Sequence, residues 1–89
     1  MKLDLYQYES CRYCDKVRRH IDKLGIKHLI NYHDTLKDPE AKKRLLTIND
    51  DDEQVPCLVI DGKPMLESDD IIKWLTENIG AAHAPARKI

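Results

Sequence analysis

The chain has 89 residues, enough for one small domain with a single core and too few for two independently folded units. Its residues are 42% hydrophobic and 35% charged, and no apolar run is long enough to cross a membrane, so we expect a soluble globular protein. Basic and acidic side chains nearly balance, giving a formal net charge of -1, which argues against nucleic acids and anionic membrane surfaces as partners.

The first third of the chain predicts a strand, a helix and a second strand. Residues 2–8 alternate between two side-chain sets and contain two tyrosines, which is typical of a strand. Apolar residues at steps of three and four then predict a helix that Ser10 caps and Gly25 ends. The apolar stripe consists of Cys14, Val17, Ile21 and Leu24. Residues 26–32 predict a second strand, and a strand, helix and strand this closely spaced form a parallel βαβ unit.

The middle of the chain predicts a second helix followed by a β-hairpin. Pro39 follows an aspartate, and proline fits the first position of a helix. Residues 57–60 form a dense apolar run typical of an interior strand, and Asp-Gly at 61–62 is a two-residue hairpin signal. The return strand contains Pro64, which cannot donate a ladder hydrogen bond and therefore belongs at a sheet edge.

The last predicted helix completes the domain. Residues 67–70 supply a cap and first-turn acids, and the helix closes at Gly80. We expect residues 1–80 to form the domain and residues 81–89 to form a flexible tail. The element order β-α-β-α-β-β-α predicts an α/β fold with a four-stranded mixed sheet flanked by three helices.

Three cysteines carry the chemical signal. The N-terminal residues lack the long apolar core of a secretory signal, so we expect a cytoplasmic chain whose cysteines serve chemistry or metal binding. Cys11 and Cys14 form a C-x-x-C pair where the first strand meets the first helix, the place of a redox pair in a βαβ unit. Cys57 lies in the predicted interior strand, where a free cysteine usually packs as a small hydrophobe.

The helical register gives the paired thiols different surroundings. Cys14 falls on the buried stripe, whereas Cys11 lies at the helix N-terminus, where free N–H groups and the helix dipole favour a thiolate. Arg12 and Lys16 add positive charge that favours the same form. We therefore predict that Cys11 is the nucleophile and that Cys14 is the resolving cysteine.

Zinc binding is the alternative use of these cysteines. Four ligands would require the C-x-x-C pair, Cys57 and one histidine. The chain has no second C-x-x-C and no closely spaced pair of histidines, so the pattern favours a redox pair over zinc. The candidate histidines are His20, His28, His33 and His83.

Taken together, these motifs resemble those of a glutaredoxin. The resemblance covers residues 2–80, and its motifs occur in the family's order: Leu-Tyr at 5–6, Cys-Arg-Tyr-Cys at 11–14, Val-Pro at 55–56, and the segment 62–70. It implies a thioredoxin-like fold and a glutathione-dependent thiol-disulfide oxidoreductase. Glutathione and disulfide-containing or glutathionylated proteins are the expected partners, and we expect the protein to be a monomer.

The resemblance also implies a glutathione site. In the family the proline after valine is cis and packs against the cysteines, while the residue before it pairs with the cysteinyl unit of glutathione; Val55 and Pro56 match these positions. The start of the last helix holds the γ-glutamyl group, which places Ser68 on its carboxylate and Asp69 on its ammonium. The ring of Tyr13 would wall the groove. Without a ligand, Ser68 and Asp69 would serve as ordinary helix caps.

Three departures from the family pattern leave other functions open. Arg12 replaces a proline that discourages glutathione-bridged [2Fe–2S] dimers, so a cluster carrier with Cys11 as ligand is one alternative. Tyr8 replaces the lysine that meets the glycyl carboxylate of glutathione, for which Arg12 or Gln54 would substitute. Glu-Ser at 67–68 is similar to the N-terminal domain of glutathione transferases, so a stand-alone transferase-like glutathione binder is another alternative.

An acidic loop at 50–53 precedes the proposed Val55 contact. Glutathione carries a net negative charge, but repulsion across water would cost about 1 kcal/mol or less at ordinary salt. We therefore expect a solvated loop that a glutathione site tolerates.

Overall fold

The computed structural model describes residues 1–80, which form four strands and three helices in the predicted order. The strands are β1 (Leu3–Gln7), β2 (Ile30–Asp34), β3 (Cys57–Ile60) and β4 (Lys63–Met65). The helices are α1 (Arg12–Leu24), α2 (Pro39–Ile48) and α3 (Ser68–Leu75), and α3 continues into a π-helical turn at Thr76–Gly80. The expected tail at 81–89 lies outside the described residues.

The strands form one mixed sheet in the order β2-β1-β3-β4. β1 and β2 run parallel with α1 between them, which confirms the predicted βαβ unit. β3 is antiparallel to both β1 and β4. Pro64 lies opposite Val59 on the edge strand β4, as predicted from its missing N–H group.

The turn between β3 and β4 has the backbone that its sequence predicts. Asp61 and Gly62 both have positive φ, 48° and 88°, as a two-residue hairpin turn requires. Asp61 Oδ1 also accepts a hydrogen bond from the Lys2 backbone N–H at 2.7 Å. This bond ties the turn to the start of β1, at the opposite end of that strand from the cysteines.

β2 begins later than the sequence predicts. The expected strand was 26–32, whereas β2 spans Ile30–Asp34 and a single 3-10 turn, Lys27–Leu29, precedes it. Ile26 is fully buried in the core rather than paired in the sheet. Its β-branched side chain therefore serves packing, a distinction that strand propensity alone does not make.

Apolar side chains cover both faces of the sheet. α1 and α3 pack on one face, where the buried cluster includes Leu5, Ile21 and Ile71. α2 packs on the other face, where Leu45 contributes to a smaller cluster. Neighbouring residues of β3 alternate between the two clusters because successive side chains of a strand point to opposite faces.

We expect Ile21→Ala to lower the free energy of unfolding by about 2 to 5 kcal/mol, because it leaves a cavity in a fully buried position under α1. The exposed Lys23 of the same helix offers the control, and Lys23→Ala should change stability by less than about 0.5 kcal/mol. Urea unfolding measures both variants. Equal, small effects would show that α1 does not anchor the core.

Candidate functional site

The loop between β1 and α1 places one thiol at the start of the helix. Cys11 is the N-cap of α1, and its Sγ accepts a hydrogen bond from the Cys14 backbone N–H at 3.3 Å. The Cys11 N–H in turn donates to the carbonyl of Tyr8 at 3.2 Å. The prediction that Ser10 caps α1 is therefore wrong by one residue, because the turn that starts at Tyr8 brings Cys11 to the cap position.

Arg18 secures the same loop from the second turn of α1. Its guanidinium donates to Gln7 Oε1 at 2.5 Å and to the carbonyls of Tyr8 and Glu9, each at 3.1 Å. Gln7 is only 8% exposed, so this contact satisfies a buried amide oxygen. Sequence analysis did not identify Arg18; its one available signal was the spacing of four residues from Cys14, which places both on one helical face.

The other two cysteines are buried thiols. Burial, followed by the hydrogen bond with Cys11, raises the pKa of Cys14 from 9.0 to about 12. Burial likewise raises the pKa of Cys57 from 9.0 to about 11. Both thiols therefore stay protonated at neutral pH, and Cys11 is the partly exposed cysteine.

A pocket of about 480 Å³ lies between the first turns of α1, the loop before β3 and the start of α3. Every residue that sequence analysis assigned to glutathione lines it except Arg12, which is exposed on the first turn of α1. The lining residues are Tyr13, Lys16, Gln54, Val55, Pro56, Glu67, Ser68 and Asp69. The fold thus brings together three segments that are far apart in the sequence.

The wall of this pocket nearest to β3 contains the Val55–Pro56 step. Its peptide bond is cis, as the resemblance to glutaredoxins implies, and Pro56 is buried. The next residue, Cys57, pairs with Tyr6 near the end of β1. This pairing sets the cis step beside the end of the sheet from which the cysteine loop departs.

The start of α3 forms the opposite wall. Glu67 occupies the N-cap position with a positive φ of 75° and forms no side-chain cap, so the predicted cap is not observed, whereas the predicted acids of the first turn, Asp69 and Asp70, are present. The Asp69 carboxylate instead accepts a hydrogen bond from Lys16 Nζ at 2.5 Å, which joins α1 and α3 across the pocket. Both partners are well exposed to solvent, and such surface pairs contribute little to stability.

No group of three or more histidine, cysteine, aspartate or glutamate side chains suited to a metal ion occurs within residues 1–80. Cys57 packs with Tyr6, Leu45 and Val59 under α2. His83, one of the zinc candidates, lies outside the described part of the chain.

None of the helices between residues 1 and 80 is long and apolar enough to cross a membrane.

Comparison with known proteins identifies the family. The family model for the N-terminal domain of glutathione S-transferases matches residues 5–83, and the chain belongs to this family. No curated protein sequence matches the chain. The similarity to a transferase N-terminal domain at 67–68 thus extends to nearly the whole chain.

Solved structures share the fold. Glutathione transferase Omega 3C from Trametes versicolor is 24% identical with a TM-score of 0.77; the match covers 96% of this chain and 36% of that longer one. A mutant of the thioredoxin-like protein BC3987 is 27% identical with a TM-score of 0.62, over 74% of this chain and 85% of the other. Glutaredoxin from Brucella melitensis is 17% identical with a TM-score of 0.62, over 100% and 95% of the two chains.

These comparisons confirm the thioredoxin-like fold predicted from the sequence. The family match relates the chain to glutathione transferases. The similarity to a glutaredoxin lies in the fold, because its sequence identity is low. The chain spans about a third of the length of the matched transferase.

We expect the free energy of unfolding to fall as pH rises above about 9, the ordinary pKa of the two buried thiols. The unfolded chain then releases protons that the folded chain retains up to pH values of about 11 for Cys57 and about 12 for Cys14. Each thiol therefore contributes full stability below that range and loses it, by up to about 1.4 kcal/mol per pH unit, as pH rises through it.

The matched control is Cys57→Ala, which removes one of the two titrations. Urea unfolding at several pH values above about 8 should give a shallower loss of stability for this variant than for the parent chain. Because slopes are compared, the constant loss from the cavity does not affect the result. Identical slopes would contradict the raised pKa of Cys57.

Proposed function

We propose that the protein is a glutathione-dependent thiol-disulfide oxidoreductase in which Cys11 is the nucleophile. The observation that carries this proposal is a partly exposed thiol at the N-terminus of α1, on the helix that also forms one wall of the 480 Å³ pocket. Helix N-terminal N–H groups favour a thiolate, which is the reactive form in disulfide exchange. The reducing cytoplasm is the compartment in which such a thiol would act.

The reaction proceeds by two exchanges. The Cys11 thiolate attacks the glutathionyl sulfur of a mixed disulfide, forms a disulfide with glutathione and releases the substrate as a thiolate. A second glutathione then attacks the new disulfide, which regenerates the Cys11 thiolate and yields oxidised glutathione. The Cys14 N–H, which donates to Cys11 Sγ, would stabilise the thiolate that leaves in this second step.

Cys14 would resolve disulfides with protein substrates. Part of the increase in its pKa comes from the hydrogen bond and charge of Cys11. Once Cys11 is held in a disulfide, that charge is gone and burial remains as the main barrier to ionisation of Cys14. Resolution by free glutathione is therefore expected to be faster than resolution by Cys14.

We assign glutathione to the pocket between α1 and α3. Ser68 and the free N–H groups at the start of α3 would bind the γ-glutamyl carboxylate, and Asp69 would bind the ammonium. The backbone of Val55, before the cis proline, would pair with the cysteinyl unit. Asp69 can exchange Lys16 for the ligand ammonium with little loss of free energy, since the Lys16–Asp69 ion pair is exposed.

The remaining contacts are those of Tyr13 and Gln54. Tyr13 is 60% exposed at the mouth of the pocket, where its ring can cover the ligand. Of the two side chains considered for the glycyl carboxylate, Gln54 lines the pocket and Arg12 does not. Gln54 Nε2 lies 3.4 Å from Glu67 Oε2, so its amide group points toward the opposite wall of the pocket.

Membership in the transferase domain family supports a second candidate function, in which bound glutathione attacks an electrophile and the cysteines take no part. A Cys11→Ser substitution separates the two functions, because the altered protein would keep transferase turnover of an aryl halide. The iron–sulfur alternative rests on Arg12 in place of proline and would use Cys11 as the protein ligand.

We expect Cys11→Ser to abolish reduction of a glutathione mixed disulfide, because serine supplies no thiolate. Cys14→Ser should retain this turnover while losing direct reduction of protein disulfides. Both are followed as NADPH consumption with glutathione and glutathione reductase, and Cys57→Ala, buried under α2, is the matched cysteine control. Equal losses in the Cys11 and Cys14 variants would refute the division of roles.

We expect Asp69→Asn to weaken glutathione binding about tenfold, since a charge-assisted bond to the ligand ammonium is lost. Asp70→Asn removes the same charge from the same turn of α3, at an exposed residue that does not line the pocket, and should leave affinity within about twofold. Isothermal titration with glutathione measures both. Equal weakening would indicate a general charge effect and remove Asp69 from the site.

A further inference from the structure

A second groove borders the glutathione pocket at Gln54 and Val55, which line both. It consists of two adjoining cavities, of about 310 and about 400 Å³, that share Tyr8 and Leu36. Tyr8 belongs to the loop that carries the reactive thiol, since its carbonyl accepts the Cys11 N–H. We call this surface the peptide groove.

The far wall of the peptide groove is a fixed turn with an exposed apolar tip. Asp34 Oδ1 accepts the backbone N–H groups of Leu36 and Lys37 at 2.9 and 2.8 Å, which holds the turn after β2 in place. Leu36 is 65% exposed at this turn. Together with the ring of Tyr8 it offers an apolar contact surface close to the nucleophile.

Three carboxylates, those of Glu9, Asp34 and Glu53, and two lysines line the groove. Its two lysines are each paired, Lys37 with Glu9 at 3.7 Å and Lys42 with Glu53 at 3.8 Å. Glu53 ends the acidic loop, whose three aspartates at 50–52 are exposed to solvent and form no ion pair with a lysine or arginine within residues 1–80. A negative surface of this kind attracts a positively charged partner and repels a negative one.

We propose that the peptide groove binds the polypeptide half of the mixed disulfide and selects cysteines flanked by cationic residues. This inference rests on the proposed function and names its substrate class. With glutathione in its pocket, Cys11 attacks the glutathionyl sulfur, the bond to the peptide sulfur breaks, and the peptide leaves the groove as a thiolate that takes a proton from water. A second glutathione then regenerates Cys11 and becomes oxidised glutathione.

The test uses three glutathionylated peptides of the same length. In each, leucines lie next to the cysteine, and beyond them lie two lysines, two serines or two glutamates. At low salt we expect kcat/KM to be at least about tenfold higher for the lysine peptide than for the glutamate peptide. At about 0.5 M salt the ratio should fall to within about twofold, because screening shortens the range of the interaction.

The diagnostic variant is the double substitution Asp50→Asn with Asp51→Asn. Both residues have positive φ, 52° and 64°, a conformation that asparagine also adopts readily, so the loop should keep its shape. Asp52 is retained because its carboxylate accepts the Gln54 N–H at 2.9 Å. We expect this variant to lose most of the preference for the lysine peptide.

The matched control removes two charges elsewhere, by Asp22→Asn with Glu77→Gln. Asp22 is exposed near the end of α1 remote from Cys11, and Glu77 is exposed in the last helical turn. This protein has the same net charge as the loop variant and should keep the preference. Leu36→Ser, at the exposed tip of the groove, should lower kcat/KM for the lysine and serine peptides alike.

The outcomes distinguish this inference from the proposed function. Turnover of all three peptides at equal kcat/KM, or a preference that the control variant loses as fully as the loop variant, would overturn the peptide groove and leave the oxidoreductase intact. Absence of turnover with every peptide would overturn the proposed function and this inference with it.

Discussion

Burial of one face of α1 against the sheet is the constraint on which the site depends. Val17 and Ile21 are fully buried on that face, and Cys14 lies on it one turn earlier. Once this face is anchored, the helix N-terminus can lie only at the end of β1, where Cys11 remains partly exposed. Core packing therefore also fixes the position of the partly exposed thiol.

The same arrangement gives two neighbouring thiols opposite properties. Cys14 is withdrawn from water, and its pKa rises to about 12, while its backbone N–H supports the sulfur of Cys11. Arg18 reinforces the asymmetry, since it ties the loop before Cys11 to the helix by three hydrogen bonds. A helix terminus and a buried stripe thus suffice to leave one thiol partly exposed and its neighbour buried.

A pocket and a groove of different chemical character lie on the two sides of the cysteine loop. The pocket toward α3 pairs an aspartate with a lysine and offers a free helix N-terminus, which suits a ligand carrying both an ammonium and a carboxylate. The groove toward β2 and the acidic loop has an apolar tip and excess negative charge. Membership in the transferase domain family fits the first side, and under the function proposed above the second side would select the partner of glutathione exchange.

Local sequence determined the order of elements, the C-x-x-C pair at a helix start, the Asp-Gly hairpin turn and proline on an edge strand, because each depends on neighbouring residues. It misplaced the cap at Ser10 and began β2 too early, since adjacent turns compete within small energy differences. The family resemblance anticipated most residues that line the pocket, but tertiary structure alone decided the anchoring by Arg18 and the pairing of Lys16 with Asp69. Those two partners are 53 residues apart, so their contact depends on how α1 and α3 pack and on no local pattern.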